Sequence, residues 1–399
     1  MSSSVTLSSA TRQNLLSLQD TAALTSTTQN RLSTGKKVNS ALDNPLNFFT
    51  AQSLSSRSSD IGSLLDGISN GVQAIQAANQ GITSIQKLVD QAKSVASQAL
   101  ATQVTTTGTA GTFSAGSSTA STTVSFYLNG VATSSSFTSA STITSVVNSL
   151  NSASVAAGVG NAFSVDATGT KIVLSASADV EFANTSSQVA LGFSAGSGSG
   201  PTYGTASVAG TASEITVSGV TQRASLASQY NNLLTQISSL AGDASYNGVN
   251  LIAGSGNDLN INFNPKGTSN LTVKSTDETA SGLGLNAVTN QGGATPTAGR
   301  GNFLLNTDIN ATVKTLNAAS DQLKSDATAL GSNLSVVQNR QDFSKQLGNI
   351  LDTGAANLTN ADLNEEAANS QALSTRQSLG ISALSLASQA QQSILQLLR

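Results

Sequence analysis

Cysteine, histidine and tryptophan are absent from the 399-residue sequence, methionine occurs once, proline four times, and only one residue in ten is charged. Without Cys or His the chain lacks the thiol nucleophile, the imidazole base and the Cys/His zinc centre. No HExxH motif or nucleophile elbow stands in for them, so an enzyme is not expected and neither cofactor nor metal is called for. A disulfide framework is excluded outright. Eighteen basic against 21 acidic residues leave no footprint for gripping phosphate backbones, so nucleic acid is not an expected partner. No stretch approaches the roughly 18 apolar residues of a membrane span. The opening MSSSVTLSSATRQNLL has its first positive side chain at Arg12 and no continuous apolar run. It does not read as a cleaved signal peptide, so export would need a signal-independent machine.

Long helical stripes fill much of what is there. From Leu54, apolar or small residues recur in steps of three and four through Ile61, Leu65, Ile68, Val72, Ile75, Ile82 and Val89. That is a heptad seam, and the proline-free run from 50 to 100 predicts a rod of about 75 Å at ~1.5 Å per residue. Its polar members Ser58, Asn79 and Gln86 weaken packing but fix register. A second stripe, Ile309, Val313, Leu316, Leu323, Ala327, Leu330, Leu334 and Val337, reads as the partner rod. A shorter one, Leu226, Tyr230, Leu233, Ile237 and Leu240, stops at Gly242.

The ends carry thinner stripes. Leu15, Leu18, Ala22, Thr25, Gln29 and Leu32 form one; Leu373, Gln377, Leu384, Ala387, Gln391, Ile394 and Leu398 form the other. Such seams bury too little to hold isolated helices, so the termini are expected to become firm only against neighbouring subunits. Leu15, Leu18, Leu24, Leu32, Leu384, Ile394 and Leu398 are the candidate subunit-assembly residues.

Between Tyr246 and Gly284 the period changes to two. Leu259, Ile261 and Phe263 alternate before an Asn-Pro-Lys-Gly turn, and Leu271 and Val273 after it, which predicts a β-hairpin. Residues 102–220 are dominated by Ser, Thr, Ala and Gly, with only Asp166, Lys171, Asp179, Glu181 and Glu214 charged. TVSFYLNGVATSSSF and FSVDATGTKIVLSA read as hairpins and Ile143–Leu150 as a short helix. The segment is therefore expected to be a small α+β module flanked by flexible Gly/Ser stretches, the second being SAGSGSGPTYGT. Lys36 and Lys37 read as solvated turn lysines, and Glu365 and Glu366 as first-turn charge at a helix N-terminus. Asp166, Asp179 and Glu181 lack the spacing of an EF-hand loop.

The stretch RLSTGKKVNSALDNPLNFFTAQSL, from Arg31 to Leu54, resembles the N-terminal signature of bacterial flagellins. The closing ADLNEEAANSQALSTRQSLGISALSLASQAQQSILQLLR is similar to the flagellin C-terminus, and Tyr246-Asn247-Gly248 followed by Val249 and Leu251 resembles the family's hairpin entry. The segment from Ser125 to Phe193 further resembles an Asn-Gly-containing insert of flagellins and hook-associated proteins. One departure is its place between the long rod helix and the Leu226 helix, where better-known flagellins put outer domains after the hairpin.

The resemblance implies a mostly α fold with a β-hairpin: terminal helices, long antiparallel coiled-coil-like rods and a small α+β outer domain. It divides the chain into an inner-tube part (1–49 and 355–399), a rod part with the hairpin (50–101, 221–300 and 301–354) and a surface insert (102–220). It further implies an extracellular filament built by homopolymerisation. Its partners would be the flagellar type III export apparatus, an export chaperone, and hook–filament junction and cap proteins.

Overall fold

In the computed structural model, the described residues are 9–114, 121–196, 210–288 and 303–397. They contain seven helices: α1 (Ser9–Thr34), α2 (Pro45–Ala101), α3 (Ile143–Ala156), α4 (Thr185–Ala190), α5 (Val220–Asp243), α6 (Asn306–Thr359) and α7 (Leu363–Leu397). The mostly helical fold with long terminal and rod helices is as expected. The chain divides into two compact units: one takes in residues up to Ser69, Asn262–Asn270 and from Gln338 onward, the other Asn70–Ile261 and Leu271–Val337.

In the first unit α1 pairs with α7, and the start of α2 runs beside the end of α6. Gly35, in the left-handed region at φ 68°, ends α1 and donates its N–H to Arg31 O. The chain after it lies against the end of α6, with Lys37 and Val38 both donating to Thr359 O and Ala361 donating to Gly35 O. α2 then starts on an Asn44 side-chain cap to Asn47 N, with Pro45 in the first turn, where a missing N–H costs nothing. Small residues let α2 and α6 approach closely. A methyl added at Gly354 would stand 3.4 Å from Leu54 Cδ1, and Ser58 Oγ donates to Gly348 O.

In the second unit the predicted seam of α2 is present: Ile68, at the unit boundary, then Val72, Ile75, Ile82 and Val89 are all buried. The polar member Gln86 donates to Ser320 Oγ of α6 at 2.8 Å, which ties the register of the two rods. A second stripe runs beside the first: Gly71, Ala74, Ala78, Gly81, Ile85 and Ala92 are buried too. Hydropathy does not reveal it, because all of its members but Ile85 are small. Its use is close approach, since a Cβ at Gly71 would meet Ile261 Cδ1 at 2.5 Å, and one at Gly81 would meet Ile252 Cδ1 at 2.6 Å and Ala244 Cβ at 2.7 Å. On α5 the buried line is Arg223, Leu226, Ala227, Tyr230, Leu234, Ile237 and Ala241, so Leu234 is buried where the sequence pattern pointed to Leu233.

The strands are β1 (Thr105–Thr112), β2 (Thr122–Leu128), β3 (Val131–Phe137), β4 (Phe163–Val165), β5 (Lys171–Ala176), β6 (Val180–Phe182), β7 (Ile215–Ser218), β8 (Ser245–Tyr246), β9 (Val249–Asn250), β10 (Leu259–Asn262) and β11 (Asn270–Val273). The predicted hairpins are there. β2 and β3 turn at Asn129-Gly130, and β8 and β9 at Asn247-Gly248, all four residues at positive φ as a type I′ turn requires. β10 and β11 pair around the Asn-Pro-Lys-Gly turn, with Ile261 and Val273 buried.

Residues 102–220 form two sheets, ordered β4-β5-β1-β7 and β3-β2-β6. Their core gathers Val124, Phe126, Leu150, Ile172, Phe182 and Phe193, with Phe126 edge-on to Phe163 at 5.8 Å. The expectation of flexible flanks changes here. The Thr/Gly-rich stretch ahead of β2 is strand β1, which pairs on one side with β5 and on the other with β7. The sequence enters and leaves the insert through the same ladder, Thr105 opposite Ser218. Most of the SAGSGSGPTYGT stretch lies outside the described residues; of the described residues around it, Gly196 N donates to the buried Gln188, which donates in turn to Gly210 O.

Arg223 closes the base of the insert. Only 3% exposed, it donates to Thr102 O at the end of α2, to Phe303 O and Leu304 O, and to Asn306 Oδ1 at the start of α6. Gly219 nearby is at φ 84°, and a Cβ there would stand 2.1 Å from Gln103 O, so conformation and space both demand glycine.

Candidate assembly surface

The terminal helices pair antiparallel: Leu18 lies over Gly380, and Arg31 donates to Glu366 Oε1 at 3.0 Å. Glu366 is 7% exposed, so it is more than the first-turn charge read from the sequence; it is one half of an ion pair that ties the base of α7 to α1.

The seam between them is poor in apolar side chains. On α1 the covered positions are Thr11, Asn14, Leu18, Thr21, Thr25, Thr28 and Leu32. Their steps alternate three and four, but the line is rotated from the one predicted: Ala22 and Gln29 are exposed, and threonines take the inward places. Thr21 and Thr25 return their hydroxyls to Ser17 O and Thr21 O, which satisfies the polar end of each side chain on its own helix and leaves the methyl for the seam. On α7 the matching line is Glu366, Ser370, Leu373, Gln377, Gly380, Leu384 and Ala387, which contains the predicted Leu373, Gln377, Leu384 and Ala387.

Leu18, Leu32, Leu373 and Leu384 are half-buried in this seam, but more of the large apolar side chains point away from it. Leu15, Leu16 and Leu24 of α1 are 42%, 60% and 51% exposed; on α7, Leu363, Leu379, Ile381 and Leu386 are 51% to 67% exposed. The same unit also exposes Leu42, Leu46 and Phe49 around the start of α2, and Phe343 and Ile350 two turns apart on α6. Completing the burial of one such side chain is worth on the order of 1 to 2 kcal/mol, so a surface that collects several is a candidate interaction surface.

The candidate assembly residues therefore fall into three sets. Leu15 and Leu24 face outward; Leu18, Leu32 and Leu384 are half-buried in the α1–α7 seam. Ile394 lies in α7 with its side chain outside the described residues, and Leu398 lies outside them altogether. Leu379 and Leu386 are additions that the sequence pattern did not single out. The covered stripe of α7 runs through Leu373, Gln377, Gly380 and Leu384, whereas Leu379 and Leu386 stand off it on an outward face. Their own heptad spacing is the signal that finds them, once α7 is read as a helix with two apolar faces.

Among the described residues no group of acidic side chains is arranged to hold a metal ion, and no helix is long and apolar enough to cross a membrane. Asp166 caps the β4–β5 turn by accepting from Thr168 N, Thr170 N and Lys171 N, and the Thr168 hydroxyl with these amides holds its carboxyl down at about 2.

Comparison with known proteins places these helices. Residues 3–115 match the bacterial flagellin N-terminal helical region and residues 313–398 the bacterial flagellin C-terminal helical region. The flagellins FljM and FljK of Caulobacter vibrioides are 34% and 33% identical over 174 residues, which cover 44% of this chain and 59% of each relative. A flagellin of Brucella melitensis is 29% identical over 177 residues, 43% of this chain and 60% of the relative. The chain thus spans about six tenths of the length of these relatives. With both terminal regions matched and the paired terminal helices in place, the chain belongs to the bacterial flagellin family.

Proposed function

We propose that the chain is a structural subunit that polymerises into the bacterial flagellar filament, the helical propeller of swimming, and that it has no catalytic role. The observation that carries this reading is the distribution on α1 and α7: threonine, glycine and four half-buried leucines fill the seam, while seven leucine and isoleucine side chains stand exposed outside it. A helix pair built this way gains little from its own seam and much from neighbours, which couples its final ordering to assembly.

In this reading residues 1–49 and 355–399 line the inner tube, 50–101, 221–300 and 301–354 form the rods with the hairpin, and 102–220 is displayed on the filament surface. Leu15 and Leu24, with Leu16, Leu379, Ile381 and Leu386, meet neighbouring subunits. Leu18, Leu32 and Leu384 act by holding the pair together, and Ile394 and Leu398 belong to the same assembly set. The partners are other copies of the chain, the type III export apparatus and an export chaperone, and the junction and cap proteins at the filament's two ends. The location is extracellular, in the flagellar filament.

Removing Ile394–Arg399 tests the reading. The expected outcome is a chain that is exported but leaves no polymer; filaments of normal length would contradict it.

A further inference from the structure

Residues 275–288, which follow β11, form a strap across the second unit. Thr276 and Glu278 donate their N–H groups to Leu251 O and Ile252 O, and Gly254 N returns a bond to Thr276 O. Two contacts fasten the strap to α5: Ala280 N donates to Ser238 Oγ, and Asn231 brackets Val288 through both its amide nitrogen and its carbonyl. The underside of the paired segment meets α2 at Gly81, below Ile252.

One residue in the strap is out of keeping with the rest. Glu278 is 0% exposed, and both of its carboxyl oxygens are buried without a well-formed hydrogen bond. Asp326 faces it from α6, and Asp277 adjoins it in the strap. Among the described residues no cation is placed to neutralise it. Lys324 of α6 turns to Asp321; on α5 the Arg223 guanidinium is committed to Thr102, Phe303, Leu304 and Asn306, and Asp243 ends the helix. Lys274, at the end of β11, is exposed. Leu251–Gly254 carries no charge, and α2 meets this segment through a glycine. A carboxylate in such a place is costly, while a protonated carboxyl can donate a hydrogen bond to Asp326.

We propose that Glu278 keeps its proton and donates it in a hydrogen bond to Asp326, thereby latching the strap to α6, and that alkali releases the latch. Burial, opposed by the Thr276 hydroxyl and aided by Asp326 and Asp277 beside it, raises the Glu278 carboxyl to about 7, so the change falls near neutrality. The contacts to Asn231, Leu251 and Gly254 remain on release, so the strap loosens over Asp277–Leu285 while the helices stay folded.

Hydrogen exchange on the dilute, unpolymerised full-length chain at pH 6.0 and 8.5, corrected for intrinsic rates, reads the latch directly. Protection of the strap amides is expected to fall about tenfold, the equivalent of one pKa unit of lost proton binding. Glu278→Gln keeps the shape without the ionisation and is expected to hold strap protection constant across this range. Asp179→Asn, which removes a different buried carboxyl, is expected to leave the wild-type response intact. A wild-type strap equally protected at both pH values would overturn the proposal, as would a Glu278→Gln strap that still loosens.

Discussion

Leu18 Cδ1 sits where it would be 3.2 Å from a methyl on Gly380, so the closest approach of the two terminal helices depends on a residue with no side chain. Glycine inside a helix costs about 1 kcal/mol against alanine, and here that cost allows contact. Gly380→Val is expected to push α1 from α7 and to lower amide protection along Ser9–Thr34, measured by hydrogen exchange, while leaving the second unit unchanged.

The two helical glycines Gly71 and Gly81 should behave oppositely to Gly62 and Gly67, which have open space where a Cβ would go. Gly81→Ala meets Ile252 and Ala244 and is expected to cost ~1 to 3 kcal/mol in urea unfolding. Gly62→Ala and Gly67→Ala are expected to be neutral or to stabilise by up to ~1 kcal/mol.

These glycines also show where the sequence was legible and where it was not. Ile68, Val72, Ile75, Ile82 and Val89 announce a rod because large apolar residues carry the period. The Gly71–Gly81 stripe does the same packing work by leaving room, which no hydropathy pattern records. The terminal seam is harder still: Thr21 and Thr28 are buried while their type suggests solvent, so the predicted line through Ala22 and Gln29 is rotated from the real one. Turn chemistry was the most readable level, since Asn129-Gly130 and Asn247-Gly248 leave few other conformations open. The base of the insert was hidden because Arg223 looks like any surface arginine until Thr102, Phe303 and Leu304 come together around it.

Arg223→Met should expose that dependence. It removes the donors to three carbonyls and to Asn306 Oδ1, leaving buried acceptors without partners, and is expected to destabilise the second unit by roughly 3 kcal/mol or more. Guanidinium unfolding compared with Arg223→Lys separates the planar fork from the charge; the lysine is expected to recover only part of the loss.

Asp179 sets a pH dependence on the insert. Burial, with Glu181 beside it, raises its carboxyl from 3.8 to about 8, and Oδ1 has no hydrogen-bond partner. The unfolded chain releases this proton near pH 4 while the folded chain keeps it until about pH 8. Stability is therefore greatest below about pH 4 with respect to this group and declines as pH rises between those values, by at most ~1.4 kcal/mol per unit. Asp179→Asn is expected to flatten that slope in urea midpoints measured between pH 5 and 8.5.

The central claim is that outward leucines on the terminal helix pair drive polymerisation. Leu15→Ser combined with Leu24→Ser tests it, because both side chains are exposed in the monomer and neither lies in the α1–α7 seam. Seeded elongation of the purified chain, followed by light scattering and electron microscopy, should show a monomer of unchanged helicity that adds to filament ends at least about tenfold more slowly. Elongation at the wild-type rate with the wild-type critical concentration would contradict the account.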